Sequence, residues 1–201
     1  MFNLSPQELK LFRSLNTPQK IQGFLDKMPI NKEEKGDTCM SPRKVLQKNK
    51  AQCMEGAMLA AAILRIHKYP PLILSMESTN DDFDHVVAVF KQHSHWGAIS
   101  KTNHAVLRYR EPIYKSIHEL VLSYFEEYFD SKGKKNLRAY SKPINLSHFD
   151  KFNWMTSEED IWYIPEYLCE VPHTKILTRS MLRTLRKAHP FQVKTYEATE
   201  W

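Results

Sequence analysis

Apolar residues fall at helical spacing through the first third of the chain. Ser5 with Glu8 reads as a capping box that opens a helix to about Ser14. Thr17-Pro18 starts a second helix through about Lys27, with Ile21, Phe24 and Leu25 on its apolar side. Met28 to Asn31 breaks it, and the charged stretch from Asn31 to Thr38 with Gly36 reads as a surface loop. Ser41-Pro42 opens a short helix that ends near Asn49. The run Ala51 to Arg65 follows, with Cys53, Gly56, Ala57, Ala60, Ala61 and Leu64 on one face. Its other face (Met58, Leu59, Ala62, Ile66) is apolar too, which predicts a central helix packed on most sides.

The period then changes. Tyr69-Pro70-Pro71 stops the helix, and Leu72 to Met76 and His85 to Phe90 are short apolar runs that read as buried strands. Between them, Glu77 to Asp84 is a polar, acidic loop. Lys91 to His95 has hairpin length and leads into a third strand, Trp96 to Ser100. Glu111-Pro112 is expected to open the longest amphipathic helix, with Ile113, Ile117, Leu120, Val121, Tyr124, Phe125, Tyr128 and Phe129 at helical spacing; Gly133 ends it. Leu137 to Ser141 suggests an edge strand. Thr156 with Glu159 reads as a capping box for a helix through Trp162 and Tyr163 up to Pro165, and Arg179 to Ala188 as a basic amphipathic helix closed by Pro190. No repeat or linker divides the chain. The expectation is one α+β domain over residues 1–201, with a core over about 41–141. The N-terminal helices (5–30) and a C-terminal helical part (142–201) pack on it, and elements after Leu137 extend the sheet.

With 42% hydrophobic residues the chain has enough apolar surface to fold, and five glycines against eleven prolines argue against a Gly-rich phosphate loop. The net charge of +6 is scattered apart from Arg179 to Lys187, which argues against a nucleic-acid surface and leaves the 179–188 helix as a candidate site for a protein partner. Three unevenly spaced cysteines (Cys39, Cys53, Cys169) form neither a disulfide framework nor a zinc motif. There is no signal-like start and no apolar run long enough to span a bilayer, so a cytoplasmic setting without a membrane partner is expected. No cofactor or metal is expected. Asp81, Asp82, Asp84 and His85 lack a regular ligand order and read as a solvated loop end.

Chemistry concentrates on Cys53. A lone helix cysteine is commonly an inert buried thiol, but one in a first turn meets the positive end of the macrodipole and unpaired N–H groups, which favour thiolate. His85, at a strand start, is a candidate base, and the base needs a third group to hold its tautomer. If the hairpin pairs Phe90 with His95, Ser100 lies opposite His85; a slip of one residue puts Lys101 and Asn103 on that face instead. Asn103 is chemically the better acceptor, and both stay open. Gln47 and Gln52 are oxyanion-hole candidates. Trp96, Arg108 and Arg110 are candidates for substrate contact, the arginines for an anionic group.

The segment Gln52-Cys53-Met54-Glu55-Gly56-Ala57, running through Leu64-Arg65 to Tyr69-Pro70-Pro71-Leu72, resembles the nucleophile helix and following strand of the transglutaminase-like superfamily. His85 to Val89 looks like that superfamily's histidine strand, and Trp96 to Ser100 like the tryptophan-led strand that ends in its aspartate. The likeness spans about Val45 to Asn103, and the chain is similar in general to uncharacterised bacterial members of that superfamily. It implies a papain/transglutaminase-like core, a nucleophile helix packed on an antiparallel sheet with flanking helices. It also implies a Cys-His-Asp type site, used on peptide, amide or amine substrates for hydrolysis or acyl transfer. In this chain the aspartate position is Ser100. The competing expectation is a fold that has lost catalysis and binds a partner.

Overall fold

The computed structural model describes residues 2–200, so Met1 and Trp201 of the expected domain lie outside the described residues. Four helices come first: α1 (Pro6–Ser14), α2 (Pro18–Asp26), α3 (Pro42–Lys48) and α4 (Cys53–Ile66). The first three start as the capping residues predict. Ser5, Thr17 and Ser41 each accept an amide of the first turn, and a proline follows each cap. Every residue of α4 from Met54 to Leu64 is buried, as an all-round apolar helix requires. Lys68, at φ 67°, turns the chain out of it.

The sheet among the described residues has seven strands: β1 (Leu72–Glu77), β2 (His85–Gln92), β3 (His95–Ile99), β4 (Arg110–Tyr114), β5 (Ala139–Ser141), β6 (Ile144–Asn145) and β7 (His173–Lys175). The order is β4-β3-β2-β1-β5-β7, with β6 also on β1, and all pairings are antiparallel. β2 is buried on both faces. Val86, Ala88 and Phe90 join the layer built with α1 to α4, whereas Val87 and Val89 join the layer under α5 (Ile117–Phe125) with Leu120, Val121 and Tyr124. The protein is therefore α+β, with helices over both faces of an antiparallel sheet. No helix among the described residues is long and apolar enough to cross a membrane.

Several expectations change. Glu111-Pro112 opens no helix but lies in β4, at the sheet edge, where proline's missing N–H costs nothing. Ile113 is exposed there, α5 starts only after Ser116, and Tyr128 and Phe129 are buried beyond its end. β5 is not an edge strand, because β7 pairs with its other side. Thr156 and Glu159 form no capping box; α6 (Tyr163–Glu170) begins later and holds Pro165 in its first turn, where a missing amide is tolerated. The basic helix shortens to α7 (Arg179–Thr184), and Pro190 opens α8 (Pro190–Glu197), capped by His189, instead of closing the helix before it. The C-terminal part is thus mixed, with β6, a 3-10 turn over Leu146–Phe152 and β7 among its helices.

The hairpin joins β2 and β3 through His93 and Ser94, both at positive φ, as a two-residue turn matched to strand twist demands. Phe90 faces Gly97 and Gln92 faces His95, two residues from the expected pairing. An offset of two preserves the face, so Ser100 still meets His85, now as its diagonal neighbour.

Candidate functional site

The start of α4 is fixed by reciprocal bonds. Gln52 Oε1 accepts from Met54 N at 3.0 Å, and the Glu55 carboxylate accepts from Gln52 N at 2.9 Å. Glu55 is fully buried and also accepts from Thr38 Oγ1 (2.7 Å), Met40 N (3.0 Å) and Asn31 Nδ2 (3.2 Å). It ties the 31–40 loop to the turn that carries Cys53. On the same helix, a Cβ on Gly56 would lie 2.4 Å from Lys101 Cβ, so the small-residue face admits the chain that follows β3. Lys101 is buried with its ammonium on Leu25 O and Met28 O, where it closes the end of α2.

Cys53 is half-buried, and its Sγ lies 3.3 Å from Gln52 Oε1. Burial pushes its thiol pKa up. The backbone amides of Val86 and Met54 pull the other way, and the Glu55 and Glu33 carboxylates add to the rise. The contact with Val86 places the sulfur beside the first residues of β2. His85 belongs by parity to the α5 face of the strand, while α4 lies on the other, so the two side chains start from opposite faces of β2. No hydrogen bond joins thiol and imidazole among the described residues. Both line one cavity of about 670 Å³.

His85 is buried, with Nε2 2.8 Å from Ser100 Oγ; that hydroxyl in turn donates to Leu107 O at 2.6 Å. A hydroxyl whose proton is committed to a carbonyl must accept from the ring, so the proton sits on Nε2 and Nδ1 is a bare acceptor. Ser100 is itself clamped. Its N–H donates to Gln22 Oε1 (2.9 Å) and its carbonyl accepts from Gln22 Nε2 (2.8 Å). Asn103 lines the cavity but does not bond His85; its carbonyl accepts from Glu200 N instead.

Burial lowers the His85 pKa from 6.5 to about 4, with the His104 and Arg110 charges assisting and the Leu107 carbonyl opposing. The resting pair is a neutral imidazole and a neutral thiol. In the unfolded chain His85 takes a proton near pH 6.5, so between that value and about 4 the unfolded state binds more protons than the folded one. The stability that neutral burial carries is whole above pH 6.5 and lost as pH falls toward 4, a loss of roughly 3 kcal/mol. Urea titrations at pH 7 and pH 4.5 are expected to show a smaller drop for His85→Gln than for the wild-type chain; equal drops would contradict it.

Of the remaining candidates, only Gln52 lies beside Cys53. Gln47 is exposed on α3 and contributes to neither groove beside Cys53. Gln52 lines both, with its Oε1 held by the helix cap and its Nε2 only 3.5 Å from Thr38 O. Trp96 packs at the α5 side of the sheet under the Lys91 ammonium, 5.6 Å from its ring. Arg108 is engaged by Asp26 and Glu200, and Arg110 by Glu127, Ser123 and the Tyr124 ring; none of these three candidates lines either cavity beside Cys53. The acidic loop before β2 is likewise occupied: Asp81 pairs with Lys134, Asp82 accepts from Asn136, and Asp84 accepts from Ser78 N. No group of three or more His, Cys, Asp and Glu side chains fit to hold a metal is found among the described residues.

A second cavity of about 650 Å³ meets the first at Gln52 and Cys53, and the Asp82-Phe83-Asp84 loop lines both. Tyr128, buried, donates to Phe83 O at 2.6 Å and holds that loop. Gln22, Glu55, Leu107 and Tyr128 carried no usable sequence signal except Glu55, whose place three residues after Gln52 is that of a capping-box acid. No family model matches the chain, and no curated protein matches it at a significant level.

Proposed function

We propose that the chain is a cysteine-dependent amide hydrolase or acyltransferase of transglutaminase-like type, built on a papain-like core. The observation that carries this reading is His85: Nε2 is held by Ser100, the nitrogen left bare is Nδ1, and the imidazole shares a cavity with a thiol at a helix N-terminus. Nδ1 takes the proton from Cys53 Sγ as the sulfur bonds to the carbonyl carbon of an amide. The oxyanion is met by the Cys53 N–H, one of the first-turn amides without a helical partner, and by Gln52 Nε2, which is only weakly held. His85 returns the proton to the leaving amine, which departs and leaves a thioester. Water or a second amine, deprotonated by His85, then releases the acyl group and restores the thiol.

The test is acylation by an activated ester, read by peptide mass mapping at pH 7. The expected result is an acyl adduct on Cys53, formed at least tenfold more slowly in His85→Ala. Cys39, buried with its thiol pushed up to about 12, and Cys169, exposed, are internal controls. Adduct spread over exposed Cys169 with none on Cys53 would overturn the reading. One observation favours the alternative of a binding protein that has lost catalysis: a neutral hydroxyl stands where an acid would hold the imidazole. That alternative expects no adduct on Cys53 even with Ser100→Asp.

A further inference from the structure

A short segment after α8 lies along the mouth of the cavity. Ala105 N donates to Ala198 O at 3.1 Å and Glu200 N donates to Asn103 O at 2.8 Å, with His104 and Thr199 facing each other as an antiparallel bridge. This is a non-hydrogen-bonded pair flanked by two ladder bonds, the smallest unit of an antiparallel sheet. Side chains reinforce it: the Tyr196 ring sits 5.1 Å from that of His104, and Arg108 reaches Glu200 at 3.4 Å. Tyr196 and Thr199 line the same cavity as Cys53 and His85. Yet α8 itself buries no residue, so little apolar contact holds the segment in place.

We propose that residues 103–105 are a strand-accepting edge for an extended polypeptide, and that residues 198–200 occupy this edge as an internal strap which an incoming peptide displaces. The claim that the displacing peptide is substrate rests on the reading of Cys53 and His85 as the reacting pair. Backbone bonds at Asn103 O and Ala105 N give affinity without demanding one sequence. The side chain that takes the place of Thr199 faces the cavity, whose lining carries Glu33, Asp37, Asp82 and Asp84, so a cationic residue there is favoured.

The experiment removes the strap's donor. Glu200→Pro has no amide for Asn103 O and loses the Arg108 contact. A fluorescein-labelled peptide spanning Lys194 to Glu200 is titrated against both proteins and followed by anisotropy. A tethered strap competes at an effective concentration of about 1 mM or more, so Glu200→Pro is expected to bind the peptide at least tenfold more tightly than the wild-type chain. Ala105→Pro, added to Glu200→Pro, is expected to lose that gain. Hydrogen exchange at the Ala105 amide is expected to quicken at least tenfold in Glu200→Pro. No tighter binding together with unchanged exchange at Ala105, or a gain that survives Ala105→Pro, overturns the proposal. These readouts involve no acylation. Peptide binding without a Cys53 adduct sinks the enzymatic reading alone, and an adduct without strap displacement sinks the strap alone.

Discussion

Ser100→Asp is expected to speed acylation of Cys53 at pH 7 by about tenfold to a hundredfold. His85 is a weak base because burial holds its pKa near 4 and the group at Nε2 is a neutral hydroxyl. A carboxylate beside an imidazolium raises its pKa by about 1–3 units, and a base nearer the working pH transfers the proton better. Aspartate cannot donate to Leu107 O, so the 101–109 segment must shift to relieve two facing oxygens. Ser100→Asn isolates the charge. It has the same size as aspartate, accepts from Nε2–H and can donate to Leu107 O, and it is expected to acylate at close to the wild-type rate. The check is the acylation rate of the three proteins between pH 4 and 8. Equal rates for aspartate and asparagine would show that charge at this position does not reach the thiol.

Glu55→Ala is expected to cost about 3–5 kcal/mol of stability. Removing the carboxylate leaves Met40 N and Gln52 N without their acceptor and takes the shorter of two carboxylate bonds from Thr38 Oγ1, and each unsatisfied donor costs about 1–3 kcal/mol. Glu55→Gln keeps one acceptor but turns an NH2 toward donors, and an intermediate loss is expected. The same carboxylate raises the Cys53 pKa, so Glu55→Gln is also expected to ionise the thiol at lower pH. Denaturant unfolding reads the first effect as a lowered midpoint at unchanged slope, and thiolate absorbance reads the second. A loss under 1 kcal/mol for Glu55→Ala would contradict the role given to this group.

Local signals carried the first hundred residues. Cap residues before Pro6, Pro18 and Pro42, the all-apolar face of α4 and the β-branched run of β2 each follow from chemistry within one element. Proline misled where its role depends on the sheet. At 112 it sits on an edge strand that only the pairing with β3 defines, and at 190 it begins a helix that its neighbours fail to extend backward. The helix expected over 179–188 ends at Thr184, and Met181 and Leu182, which match helical spacing, stay largely exposed.

The bond between His85 and Ser100, and the cavity that Cys53 and His85 both line, were readable because each residue stands at the end of a regular element. The two-residue offset in register left Ser100 on the right face, which the alternation of side chains guarantees for any even shift. The choice of Ser100 over Asn103 was not readable, since it depends on Gln22 gripping the backbone of residue 100 from a helix 78 positions earlier. Nor was the neutral state of the pair, which comes from burial on both faces of β2 and from the Glu55 carboxylate.

The most direct test of His85 as the base for Cys53 is the pH dependence of Cys53 acylation in the wild-type chain and in His85→Ala. If the neutral imidazole takes the proton of the neutral thiol, the wild-type rate is expected to rise through about pH 4 and then stay level to pH 8. Without the imidazole only free thiolate reacts, so the rate in His85→Ala is expected to climb tenfold per pH unit over the same range. Two parallel lines, both climbing tenfold per unit, would contradict the account.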